Sequence, residues 1–121
     1  MVEPEGQRLP RMARIRRGGE IRTVLRRGIR TRTPTLDVYV LPVPARPRPR
    51  IGWVVPKLGN GVVARNRLKR RLREIGRTRV LGALRAKGVG ADVLVRVRTS
   101  AYRATYRQLE EELMSVVDGK W

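Results

Sequence analysis

"ARNRLKRRLREIGR", Ala64 to Arg77, sets seven basic residues and a single acid around a thin apolar stripe. At about 100° per residue, Ala64, Leu68, Leu72 and Ile75 fall on one narrow face, the period of a helix resting on a core. Arg65, Lys69 and Arg73 make the adjoining row, and Arg67, Arg70, Arg71 and Arg77 fill most of the remainder. A helix that only faces water interleaves its charges, because opposite charges four residues apart stabilise it and like charges there destabilise it. Arg65–Lys69–Arg73 is instead a like-charge ladder with Glu74 alone to offset it. A partner that supplies the counter-charge accounts for such a ladder, so this face reads as a surface for a polyanion. Asn66 is a poor mid-helix residue, since its amide competes for backbone hydrogen bonds. Either it caps the helix or it bonds the partner.

The sequence around this helix predicts an α+β chain. Upstream, "TLDVYVLPV" (Thr35–Val43) alternates Leu36, Val38 and Val40 against Asp37, Tyr39 and Leu41, a strand that ends at Pro42. "PARPRPR" (Pro44–Arg50) is a proline-punctuated basic connection, and "IGWVVP" (Ile51–Pro56) reads as a second strand, expected to pair antiparallel with the first. "KLGNG" is a turn into the basic helix. Downstream, residues 85–91 read as loop, and "DVLVRVR" (Asp92–Arg98) as a third strand with Val93, Val95 and Val97 on one face. Tyr106, Leu109, Leu113 and Val116 keep helical spacing, which predicts an amphipathic helix from about Ala101 to Val117. Nearer the start, Ile21, Val24 and Leu25 at i, i+3, i+4 predict a first helix stopped at Gly28, with Arg22, Arg26 and Arg27 on its other face. Residues 1–13 mix proline, glycine and charge without period and read as a flexible basic arm, within which Met12 is a second possible start. The expected order is α-β-β-α-β-α, a single two-layer sandwich over residues 14–121 with helices packed on one small sheet.

Composition narrows the function. The 121 residues suit one domain, and a hydrophobic share of 40% supports a folded body whose core must be largely aliphatic, since there is no Phe. The charge is 29 Lys+Arg against 10 Asp+Glu, a formal +19, which a polyanionic partner would relieve. Lysine accounts for four of the 29 (Lys57, Lys69, Lys87, Lys120) and arginine for the other 25. A guanidinium meets phosphate bidentately and stacks on bases, which an ammonium cannot do, so nucleic acid is the expected partner. Without His or Cys the chain offers no imidazole base, thiolate or Cys/His zinc site. Its acidic cluster, Glu110-Glu111-Glu112, sits on a terminal helix, so a self-sufficient hydrolase is not expected. No apolar run reaches a membrane span and "MVEPEGQRLPR" has no signal-peptide core, so the expected location is the cytoplasm.

Ile21, Val24 and Leu25 have two readings. An apolar helix stripe ordinarily packs on a sheet as core. With Val38 and Tyr39 it could instead line a groove for unpaired bases. Tyr102 and Tyr106 read as packing.

"RNRLKRRLRE" (Arg65–Glu74) closely resembles the hallmark box of the protein component of bacterial ribonuclease P. The preceding "RIGWVVPKLGNGVV" is similar to that family's strand and turn. "GGEIRTVLRRG" resembles its first helix, and "DVLVRVRTSAYRATYRQLEEEL" its last strand and helix. The likeness covers about residues 14 to 117. It implies a protein subunit of an endoribonuclease whose catalytic RNA, with magnesium ions held by that RNA, removes the 5′ leader of precursor tRNA. It also implies a left-handed β-α-β crossover through the boxed helix, against the general rule of hand. Carried over by the resemblance, Arg65, Asn66, Arg67, Lys69, Arg70 and Arg73 would contact the catalytic RNA. Ile21, Val24, Leu25 and Tyr39, with Lys57 at the edge, would form the leader-binding cleft. No side chain of this chain would be catalytic, none would hold a metal, and neither a membrane nor a protein partner is implied.

Two features depart from the family pattern. Ile21 and Leu25 stand where the family usually has phenylalanine, and the strand runs into Pro56-Lys57-Leu58 where a serine and two lysines are usual. Both touch the leader cleft and leave the box whole. A structural ribosomal protein would share the charge and the small α+β shape, but it would be expected to carry a long basic tail. A nucleoid protein would need a base-reading recognition helix, and Asn66 alone is thin support for one.

Overall fold

Alternating apolar strands flanked by amphipathic helices do assemble here around one sheet. The computed structural model describes residues 13–46, 48–88 and 90–119. Along these run α1 (Gly18–Arg27), β1 (Ile29–Arg32), β2 (Leu36–Pro42), β3 (Arg50–Val54), α2 (Val62–Ile75), α3 (Leu81–Ala86), β4 (Ala91–Val97) and α4 (Tyr106–Gly119). The expected arm lies outside the described residues except for Ala13, which is buried in the core.

The sheet has four strands in the order β1-β2-β4-β3. β2 and β3 are therefore not partners, contrary to the antiparallel pair expected from their order. β4 lies between them, antiparallel to β2 and parallel to β3. The connection after β2 explains this. Its prolines cannot donate to a ladder, and it passes the start of β4, where the Val43 N–H donates to the Gly90 carbonyl at 2.8 Å. The return from β3 to β4 is a helical crossover, the only practical link between adjacent parallel strands.

Strand alternation sorts the side chains onto two faces. Leu36, Val38 and Val40 of β2 join Val93, Val95 and Val97 of β4 in the main core. Leu68, Leu72 and Ile75 of α2 and Leu109, Leu113, Val116 and Val117 of α4 close over them. The other face of the sheet carries a smaller cluster, with Ile15, Val24, Tyr39 and Leu94 buried under α1.

α2 does not end at Ile75. A π-helical turn, Gly76–Val80, carries the chain on into α3. A Cβ on Gly76 would lie 2.5 Å from the tip of the Trp53 ring and 3.1 Å from Ile51 Cδ1, so the indole rests directly on the backbone at the widened turn. α4 starts later than expected because Thr105 caps it, its hydroxyl accepting from the Gln108 N–H at 3.1 Å. Residues Thr99–Arg103 form a separate 3₁₀ turn ahead of it.

Charges also fix α1. Arg50 grips Asp92 with two hydrogen bonds, Nε to Oδ1 at 3.0 Å and Nη2 to Oδ2 at 2.9 Å, and donates Nη1 to Glu20 of α1. Arg46 adds a further bond to Asp92. The hydrogen bond from Arg50 holds the Glu20 carboxyl below its usual range, and the Asp92 contact pushes the Arg50 guanidinium further up. At the opposite end Glu112 of α4, buried, accepts from the Thr33 hydroxyl and from both the N–H and hydroxyl of Thr35. That links α4 to the β1–β2 turn.

Candidate nucleic-acid interface

The basic helix is aimed by a tight turn. The Asn60 N–H and side-chain amide both donate to the Lys57 carbonyl, at 2.9 and 3.0 Å. Leu58 (φ 49) and Gly59 (φ 85) between them are left-handed, an uncommon conformation for leucine. Lys57 and Leu58 are exposed on this turn. α2 then begins at a bare end, since Gly61 offers no side-chain cap and the first turn has no acid. Its unmet N–H groups add positive potential to that of the arginines.

The six box residues separate into three groups. Arg65 turns inward, its Nε donating to the Val55 carbonyl at 2.7 Å, and so braces α2 against the end of β3. Asn66, Lys69, Arg70 and Arg73 stay together on the outer face, where with Val63 they line a shallow groove of about 460 Å³. Arg67 lies on the other flank with Arg71, facing the 3₁₀ turn and the start of α4. Arg71 and Arg103 there were not singled out as contacts from the sequence. Arg71 could have been, since it follows Arg67 by one helical turn.

Apart from Asp37 of β2, whose Oδ1 is buried without a hydrogen-bond partner, the described carboxylates are committed elsewhere. Glu74 bonds Arg77, Glu110 pairs with Arg79, Glu111 with Arg107 and Asp118 with Lys87. Glu20 and Asp92 belong to Arg50 and Arg46, and Glu112 to the threonines. None of the cationic box residues has an ion-pair partner among the described residues. The outer row of α2 is thus a cationic strip without ion-pair partners among the described residues, though Arg65, the first member of the expected ladder, leaves it for the Val55 carbonyl.

The α1 side of the sheet brings Ile21, Val24, Leu25 and Tyr39 together, but as a packed cluster. Val24 is 1% and Tyr39 8% exposed, while Ile21 and Leu25 are half-buried, so packing accounts for this stripe as the bare periodicity suggested. Register places other residues around the cluster. Arg30 and Arg32 of β1 lie opposite Tyr39 and Asp37, and Arg96 of β4 lies opposite Asp37. Directly paired residues share a face, so three exposed arginines border the cluster. Arg30 and Arg32 share a face by the strand period of two, but only the strand pairing brings Arg96 beside them.

The ribonuclease P family model matches residues 9–119. The chain belongs to the ribonuclease P protein family. It is 39% identical over 105 residues to the ribonuclease P protein component of Beutenbergia cavernae, covering 87% of this chain and 85% of the relative. To that of Clavibacter michiganensis subsp. michiganensis it is 32% identical over 109 residues, covering 90% and 93%. Two solved structures share the fold. The RNase P protein of Staphylococcus aureus has a TM-score of 0.71 at 23% identity, covering 88% of this chain and 93% of that one. That of Thermotoga maritima has a TM-score of 0.68 at 24% identity, covering 86% and 94%. Membership places the chain in tRNA processing, within a ribonucleoprotein endoribonuclease. No helix among the described residues is long and apolar enough to cross a membrane.

Proposed function

We propose that this ribonuclease P protein is the accessory subunit that docks on the catalytic RNA through the outer face of α2 and holds the 5′ leader of precursor tRNA against the α1 side of the sheet. The observation that carries the reading is the strip Asn66, Lys69, Arg70 and Arg73 along the outer face of α2, whose cations have no ion-pair partner among the described residues. Arg67 extends it on one flank, and Arg65 serves it by fixing the helix. The leader side would work by electrostatics and aliphatic contact rather than stacking. Ile21 and Leu25 offer their exposed parts, Arg30, Arg32 and Arg96 meet phosphates, and Lys57 contributes a charge from the β3–α2 turn.

Two RNAs brought together repel through their phosphates, and a cationic protein lowers that repulsion by displacing condensed counterions. Holding the substrate also orders the scissile bond relative to the RNA's reactive groups. In keeping with the family likeness, magnesium is assigned to the RNA, and no step is routed through this chain. The work would take place in the cytoplasm, where precursor tRNA is made.

Binding to the cognate catalytic RNA, measured by filter retention over a salt series, tests this directly. Four or more phosphate contacts are expected to give a log–log slope of about −3 or steeper. Precursor tRNA is expected to bind the assembled complex more tightly than mature tRNA. A flat salt dependence, or equal affinity for the two tRNAs, would contradict the reading.

A further inference from the structure

The flank of α2 turned away from its outer groove holds a second concavity, of about 390 Å³. Its floor is apolar, made by Ala64 and Leu68 of α2 and by Ala104. One wall is Arg67 and Arg71, one turn apart; the other is Tyr102, Arg103 and Tyr106. No carboxylate lines it, and neither Arg67 nor Arg103 has an ion-pair partner among the described residues.

Its parts are held in place. The Tyr102 hydroxyl donates to the Pro56 carbonyl at 2.7 Å, which fixes that ring from behind. Arg71 donates Nη1 to the Ala104 carbonyl at 3.3 Å, which ties that side chain to the lining and leaves its other donors uncommitted. Both tyrosine rings are half-buried against the main core. Burial pushes the Tyr106 phenol up, and its hydroxyl lies against Thr78.

We infer that this concavity is a pocket for a single unpaired nucleotide of the catalytic RNA, its phosphate on Arg67 and Arg103 and its base against Tyr102 and Tyr106. The inference rests on the docking of α2 on RNA argued above and extends it from phosphates to one base. A bare anion would need the guanidiniums alone, whereas here they surround an apolar floor and two aromatic rings. The volume lies in the range of small-ligand pockets and exceeds what a phosphate fills. Aromatic rings and guanidinium planes are the surfaces on which splayed-out RNA bases stack. An acidic peptide would use the arginines but leave the rings without a partner.

The test is 2′-hydroxyl acylation probing of the cognate catalytic RNA, saturated with the full-length chain. Wild type is expected to protect one unpaired nucleotide that Arg103→Ala and Tyr102→Leu both re-expose, by about fivefold or more in reactivity. Affinity should fall by about 10-fold for loss of the stacking ring, with the salt slope shallower by about one for loss of the arginine. Arg103 is exposed, so its replacement leaves the fold intact. On the free chain, adenosine monophosphate is expected to shift the amide resonances of residues 102–106 at concentrations where ribose phosphate and hexaglutamate do not. An unchanged protection pattern in Arg103→Ala overturns the inference, as does equal or tighter binding of ribose phosphate or hexaglutamate. Arg70→Ala separates the two levels. If it weakens RNA binding while Arg103→Ala changes nothing, only the pocket fails; if neither has an effect, the docking reading fails with it.

Discussion

Arg50→Ala is expected to cost this protein about 3–5 kcal/mol of unfolding free energy, because it strands a buried carboxylate. The Asp92 side chain is 6% exposed in β4, an interior strand of the sheet, and Arg50, 17% exposed, supplies two of the hydrogen bonds to it. Arg46 remains after the substitution but, at 30% exposed, it is a weaker partner, which sets the expectation at the lower end of that range. The same substitution cuts Glu20 loose and with it the anchor of α1. Domains of this kind have only about 5–15 kcal/mol to lose. In urea, followed by tryptophan fluorescence, the midpoint should fall with little change in slope. The pH dependence carries a sign. Glu20 has its folded pKa lowered by Arg50, so its contribution is present above the ordinary carboxylate pKa of about 4.3 and is lost as pH falls through the lower folded value. The gap between wild type and Arg50→Ala should therefore narrow in acid. A loss below about 1 kcal/mol at neutral pH would mean that the network is surface ornament in energetic terms.

The triple variant Lys69→Ala, Arg70→Ala, Arg73→Ala is expected to bind the catalytic RNA on the order of 100-fold more weakly near physiological salt, with a slope shallower by about two to three. Its effect on the fold should have the opposite sign. Lys69–Arg73 and Arg65–Lys69 are like charges at i, i+4, and removing such pairs relieves a few tenths of a kcal/mol each while alanine favours helix. Arg70 and Arg73 are exposed and Lys69 half-exposed, so no core contact is lost. Weaker binding by an equally or more stable protein is what a surface kept for a partner should show. Loss of stability together with loss of binding would instead make the strip structural.

The sequence showed the strands that alternate and hid the one that does not. β2 and β4 are legible because Leu36, Val38, Val40 and Val93, Val95, Val97 each face one core. β1 is Ile-Arg-Thr-Arg at an edge, with too little burial to leave a pattern. Partner choice was not legible either, because β2 and β3 are neighbours in sequence while a later strand separates them in space. In the candidate site, the outer row of α2 followed from helical period alone. The inward turn of Arg65 did not, since it depends on where the Val55 carbonyl ends β3. Arg96 joined Arg30 and Arg32 only through strand register, and Arg103 joined Arg67 only through the packing of α2 beside the 3₁₀ turn.

Cleavage of precursor tRNA by the purified chain and its cognate catalytic RNA, each alone and together near physiological salt with magnesium, tests the accessory role most directly. The expected result is cleavage at the mature 5′ end that requires the RNA and is strongly boosted by the protein. Cleavage by the protein alone, or an RNA reaction that the protein leaves unchanged, would contradict it.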